Sequence, residues 1–347
     1  MNQLLAAVDL GSNSFRLVIG RVVDEGGTIQ IYPVDRLKET VRLAAGLQAD
    51  KTLDSSTTDF ALQVLSRFGE RLRSFHPERV RAVATNTFRV ARNVTEFLPQ
   101  AEEALGFPIE VIAGREEARL IFSGVSHSLP PSPAKRLVVD IGGGSTEFIV
   151  GRRFEPELME SLYMGCVSFS RAYFPDGIID AHAMKQAEMA ARREIEVIAK
   201  QYRKAGWQEA YGSSGTSKAL GAILTESGFS ESGITRRGMD KLKDKLIKAG
   251  TVERAQLAGI KPDRISVLPG GLAIMSAIFD ELGLDVMRTA DGALRVGVLY
   301  DLAGATTRCA SSCAATGWTA PRPVACGRPR WHCSSNWCPF PPTNTRN

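Results

Sequence analysis

Two stretches of this chain, 131 residues apart, are almost the same sequence: Val-Asp-Leu-Gly-Ser-Asn-Ser-Phe-Arg-Leu-Val-Ile-Gly at 8–20 and Val-Asp-Ile-Gly-Gly-Gly-Ser-Thr-Glu-Phe-Ile-Val-Gly at 139–151. Each is an apolar run, an Asp, a tip of Gly, Ser or Asn, and a second apolar run closed by Gly. That pattern predicts a β-hairpin with a small-residue tip and a carboxylate where the first strand ends. Two copies at domain spacing predict a duplicated lobe whose hairpin tips face each other across a cleft.

The remaining pattern supports two lobes. Strands are expected at 4–10, 15–23 and 28–34, a helix over 54–75, a strand at 80–85, a polar Asn86–Arg89 turn, and a helix ending near Leu105. A strand at 109–113 and a helix from Gly114 follow. Ser128-Leu129-Pro130-Pro131-Ser132-Pro133 reads as a loop. The pattern then restarts with strands at 136–141 and 146–153, a long helix at 181–205, a small-residue loop at 213–217, and helices at 236–249, after Gly271 and at 292–302. Strands alternating with helices predict an α/β fold with mixed sheets. The expected division is 1–122, 123–302, with the last helix packing back on the first lobe, and a tail.

The tail changes how the charge reads. The formal net charge is +5, yet residues 303–347 hold Arg308, Arg322, Arg328, Arg330 and Arg346 and no acidic residue. Without these five the basic and acidic residues balance at 38 each, so the globular part has no field that would attract nucleic acid. Five of the six Cys lie in the tail with no C-x2-C spacing, which argues against a zinc knuckle. Its composition and lack of periodicity predict a disordered or frameshifted segment. No early run is apolar enough for a membrane span or signal peptide, because Asp9 and Arg16 interrupt the first one. A cytoplasmic protein that binds no membrane is expected.

Chemistry concentrates at the tips. Glycine-rich turns offer uncrowded backbone N–H groups to phosphate oxygens, and Gly142-Gly143-Gly144 would permit positive φ and close ligand approach. Asp9 and Asp140 would repel a phosphate unless a divalent cation lay between them, which implies Mg²⁺. Glu147 follows the second tip in the place Arg16 holds after the first, and is expected to hold a metal-bound water. Ser213-Ser214-Gly215-Thr216-Ser217 is a further phosphate-type loop. Glu116 and Glu117 open a helix, and Arg89 follows a strand where its guanidinium is placed to fork onto a phosphate.

Taken together, these segments resemble the exopolyphosphatase and guanosine pentaphosphate phosphatase family of the actin-like ATPase superfamily. The resemblance runs through Asp9–Ser14, Ala84–Arg89, Gly114–Arg119, Asp140–Glu147, Ser214–Thr216 and Asp291–Arg295, in the family's order. It implies two actin-like (ribonuclease H-like) domains with mixed sheets, an interdomain cleft, and release of a terminal phosphoryl group to water. By the same resemblance Glu117 is the general base, Asp140 and Glu147 hold Mg²⁺ or position water, and Asp9 faces them. Ser12, Asn13, Ser14, Arg89, Gly142, Gly143, Gly144, Ser145, Ser214, Gly215 and Thr216 would bind phosphate. Inorganic polyphosphate is the expected substrate, with guanosine pentaphosphate the alternative and a small-molecule kinase or inactive regulator more distant. A homodimer is one assembly open to such a chain. Longer members carry further helical domains where this chain has its tail.

Overall fold

The β1–β2 hairpin sets the frame of the first half. In the computed structural model, which describes residues 3–26 and 28–304, β1 (Gln3–Leu10), β2 (Phe15–Glu25) and β3 (Thr28–Glu39) form an antiparallel meander. The chain then passes through α1 (Ser55–Leu72), β4 (Val80–Ala84), α2 (Asn86–Val90), α3 (Val94–Leu105) and β5 (Ile109–Val111). β4 and β5 join in parallel, giving the order β3-β2-β1-β4-β5. Asp54 caps α1 by accepting the Thr57 N–H, which satisfies one of the donors left free at a helix start.

After α4 (Gly114–Ser128) the plan repeats. β6 (Lys135–Ile141), β7 (Thr146–Arg152) and β8 (Glu155–Leu162) form a second antiparallel meander. They are followed by α5 (Cys166–Tyr173), α6 (Ala181–Ala205), β9 (Glu209–Ser213), α7 (Ser214–Glu226), β10 (Ile234–Thr235), α8 (Arg236–Ala249), α9 (Val252–Ala255), α10 (Leu268–Leu282) and β11 (Val286–Thr289). The order β10-β11-β9-β6-β7-β8 reproduces the first sheet's meander and parallel additions, with β10 as an extra edge. A last helix, α11, covers 294–304. The fold is therefore α/β with two mixed sheets, as the duplication predicted.

Strand alternation decides where the site lies. In β1, Ala6, Val8 and Leu10 enter a core with Phe68 of α1 and Phe97 of α3, whereas Leu5 and Ala7 enter a different one. In β6, Leu137, Val139 and Ile141 pack with Tyr202 of α6 and Phe279 of α10, while Val138 faces the other way. Leu5, Ala7 and Val138 meet in a third core between the sheets, built with Leu120, Ile121, Phe122 and Val125 of α4 and Leu294, Val298 and Leu299 of α11. Asp9 and Asp140 have the parity of Leu5 and Val138. Both therefore stand on the faces that look toward the space between the sheets, just beyond the apolar filling.

Three elements differ from expectation. Asn86–Val90 is a short helix rather than a turn. The Ser-Ser-Gly-Thr-Ser segment is the first turn of α7, with Ser213 at its cap. The last helix runs to 304, so Ala303 is buried in the third core; the remaining tail readings fall outside the described residues. α11 lies against the first half, where Asp301 accepts from Arg81 of β4 (2.6 Å) and Arg119 of α4 (2.9 Å). Among the described residues one stretch, Pro262–Leu282, is long and apolar enough to cross a membrane; it ends in α10, a core helix, and is 78% buried.

Candidate active site

The two hairpins pair in the same register. Asp9 stands opposite Arg16 in one, and Asp140 opposite Glu147 in the other. The tips touch. A Cβ on Gly143 would lie 2.9 Å from the Ser12 Cβ, and one on Gly144 would lie 2.5 Å from the Asn86 Oδ1, so glycine is needed for this approach. Positive φ was the other expected reason, and it does not hold: none of Gly142, Gly143 and Gly144 has it. The Gly142 N–H donates to the Ser145 carbonyl at 2.9 Å, while the Gly143 carbonyl accepts from Val167 and Ser168. Across the junction the Thr87 hydroxyl donates to the Ser12 hydroxyl at 2.8 Å. The side-chain Nδ2 atoms of Asn13 and Asn86 are buried there with no acceptor, a state a phosphate oxygen or water would relieve.

A cleft of about 410 Å³ opens from these tips. Its walls include Asp9, Ser12, Asn13, Ser14, Glu117, Asp140, Gly142, Gly143, Ser145, Ser214, Gly215 and Thr216, twelve of the residues singled out from sequence. Gly144, Glu147 and Arg89 do not line it. Gly144 packs on Asn86, and Glu147 is only 1% exposed, behind Asp140. Arg89, expected on phosphate, donates instead from one nitrogen to the Glu117 carboxylate (2.9 Å) and the Ile112 carbonyl (2.9 Å). A helical α2 turns it toward α4, where it holds the Glu117 carboxylate.

Glu117 owes its place to helix spacing. It lies three and four residues before Leu120 and Ile121, on the face of α4 that enters the third core. Burial pushes its pKa up to about 7; Arg89 opposes this, and the Asp9 and Asp140 charges add to it. Asp140 is raised to about 6, again mainly by burial, against a hydrogen bond from Ser213 and the charges of Arg295 and Arg16. Glu147 is also held well above the ordinary carboxylate range by burial and by Glu117 and Asp140, although Ser161 donates to it at 2.9 Å. Acids shifted this way and crowded at a cleft are the pattern that makes this region the candidate site.

Facing them is a set of guanidinium groups that the hairpin tips alone did not disclose. Arg295, in the first turn of α11, donates to Asp9 at 2.8 Å. Arg16 lines the same cleft and is lowered to about 10 by burial and by Arg295, with Arg264 adding repulsion. Arg264 lies against Gly215, where any Cβ would collide with its guanidinium. Three cations held this close call for an anion between them. The register supplied a signal for Arg16, since it occupies Glu147's place in the repeat; Arg295 stood inside the Asp291–Arg295 motif. Arg264 carried no local signal. Ser214, at the mouth of α7, has φ +79°, rare for a side-chain-bearing residue, and its hydroxyl accepts the Thr216 N–H at 3.2 Å.

The donor set also bears on Mg²⁺. Among the described residues no group of three or more His, Cys, Asp or Glu side chains is arranged to hold a metal unaided. Mg²⁺ commonly takes one or two carboxylates and completes its shell with phosphate oxygens and water. Asp140, which lines the cleft, fits that partial role; Glu147, paired with it across β6–β7 and raised by its charge, lies behind it. Asp9, by contrast, already carries Arg295.

Fold and site together define a phosphate-handling protein: two facing glycine- and serine-rich tips, a buried acid and converging arginines. Comparison with known proteins agrees with that class. The model of the Ppx/GppA phosphatase family matches residues 18–306, and the chain belongs to that family. A Haemophilus influenzae protein named "Putative exopolyphosphatase" is 41% identical over 298 residues, 86% of this chain and 91% of that one. The crystal structure of the Aquifex aeolicus Ppx/GppA family member superposes with a TM-score of 0.70 at 25% identity, covering 89% of this chain and 99% of that one. An exopolyphosphatase structure from Cytophaga hutchinsonii gives a TM-score of 0.76 at 23% identity over 87% of this chain and 98% of that one, a likeness of fold.

Proposed function

We propose that this chain is an exopolyphosphatase that transfers the terminal phosphoryl group of inorganic polyphosphate to water. The observation that carries the reading is Glu117: a buried carboxylate with a pKa near 7, fixed by Arg89 and lining the cleft between two phosphate-type tips. Phosphoryl transfer passes through a loose transition state, so positioning and charge neutralisation do most of the work. Ser12, Asn13 and Ser14 on one side and Gly142, Gly143 and Ser145 on the other would hold the terminal phosphate. Arg16 and Arg295 would neutralise it, and the α7 turn of Ser214, Gly215 and Thr216, with Arg264, would take the next phosphate. Glu117 would orient the attacking water and accept its proton, for which a pKa near working pH is well suited.

Asp140 would hold Mg²⁺, with Glu147 behind it acting through a metal-bound water, and the ion supplies further neutralisation of phosphate charge when bound. The relative's name supports polyphosphate over guanosine pentaphosphate, as do the further cations Lys38, Lys218 and Lys261 that line the cleft with Arg264. The test is phosphate release from long-chain polyphosphate, from guanosine pentaphosphate, and from ATP with and without an acceptor, each with and without Mg²⁺. Release from polyphosphate without any acceptor is expected; Mg²⁺-stimulated release from the pentaphosphate alone, or acceptor-dependent turnover of ATP, would overturn the assignment.

A further inference from the structure

The outer cleft contains cations that are already occupied by the protein's own carboxylates. Lys38, near the end of β3 in the first half, forms an ion pair with Asp263, in the 3₁₀ turn Pro262–Val267 of the second half. Both line the cleft beside Lys261 and Arg264. The pair thus reaches across from one sheet's side to the other, and its side chains are 40% and 25% exposed. Burial alone would raise the Asp263 carboxyl, yet the Lys38 donor and the neighbouring Arg264 charge hold it below its usual value. A second pair, Lys218 with Asp291 (2.9 Å), borders the same cleft.

A ligand phosphate and the Asp263 carboxylate are chemically alike to Lys38: each offers negative oxygens at hydrogen-bond distance. We propose that Asp263 is a specificity-determining residue, an internal stand-in for a substrate phosphate that clasps Lys38 across the cleft until a long polyanion displaces it. This rests on the polyphosphate reading of the site. An exposed pair is weak, so displacement is easy for a chain with charge to spare. Asp263 also lies 3.6 Å from the Arg264 Nε, so a short oligophosphate, gripped by the tips, Arg16 and Arg264, meets only the Arg264 side of this carboxylate and has no phosphate to spare for Lys38. The Lys38 side of the clasp therefore enters the binding of long chains alone, while the Arg264 side is common to long and short ones.

The experiment compares full-length wild type, D263N, K38M and the double variant on tripolyphosphate and on long-chain polyphosphate, with melting temperatures as a check on folding. D263N is expected to lower KM for the long chain by about two- to fivefold, the range of one exposed ion pair, with a smaller change in kcat and a smaller KM shift for tripolyphosphate, through Arg264 alone. In the K38M background the D263N effect should shrink, because the clasp is already gone. Equal KM shifts for both substrates, an undiminished effect in K38M, or an unchanged or higher long-chain KM would each overturn the proposal. Fluorescence anisotropy of labelled long-chain polyphosphate separates this from the parent reading. Should wild type release no phosphate from any polyphosphate, the hydrolase reading falls, and the clasp stands or falls on whether D263N binds the labelled chain more tightly.

Discussion

The two hairpins share register, tip length and position in their sheets, yet they differ in charge. Opposite Asp9 stands Arg16, and Arg295 closes on the same carboxylate, so at the first tip cations outnumber the acid. Opposite Asp140 stands Glu147, with Glu117 near both, so the second tip holds unbalanced acids in a buried place. On the proposed reading one frame serves two ends: the first jaw would grip an anion, and the second would take a cation and handle a proton. Substitutions at the acid cluster should therefore strike turnover, and substitutions at the basic jaw should strike binding.

The largest effect is expected at Glu117. Glu117→Gln should lower kcat by about 10²–10⁴ while KM changes little, measured by phosphate release; near-wild-type turnover would remove it as the base. Next, chelation by EDTA should reduce release to background and added Mg²⁺ should restore it. In Asp140→Asn the half-saturating Mg²⁺ concentration should rise by about tenfold or more, the scale of losing a charged ligand hydrogen-bonded in the site. On the other jaw, Arg16→Met should raise KM by about tenfold, the loss of one charge-assisted contact, with kcat less affected. A kcat loss at Arg16 equal to that at Glu117 would erase the distinction between the jaws.

A smaller effect concerns pH. Turnover should rise as pH passes through about 7, where Glu117 loses its proton. Arg89→Met removes the group that lowers this pKa, so the inflection should move to higher pH. Stability should run the other way. Folded pKa values of about 7 for Glu117 and about 6 for Asp140, against ordinary values of 4.5 and 3.8, mean the folded state binds more protons than the unfolded one. Their contribution is full below pH 4 and lost as pH rises through 6 to 7. Without divalent cations, Glu147→Gln should raise the Tm at pH 8 by about a few degrees and at pH 4 scarcely at all.

Much of the fold was legible because the hairpin, the helix periodicities and the repeat are local patterns. α6 and α8 fall on the predicted residues, and Glu117, Asp140 and Asp9 were named from their motifs. Local pattern failed at short polar segments. Ser213–Ser217 reads equally as a loop or a first helical turn, and Asn86–Arg89 as a turn or a helix; packing decided both. Arg89 illustrates the consequence, since the helical form of its segment carries the guanidinium to Glu117 rather than to the cleft.

The sequence by itself determined the two repeated hairpins and the Asp that ends the first strand of each, because strand alternation and turn chemistry act over a few residues. Only the tertiary structure decided which charges face one another. Arg264 and Arg295 lie more than a hundred residues from the tips they complete, and the Lys38–Asp263 pair joins residues 225 positions apart. Coulomb forces depend on separation in space, and that separation is set by how the third core packs one sheet against the other.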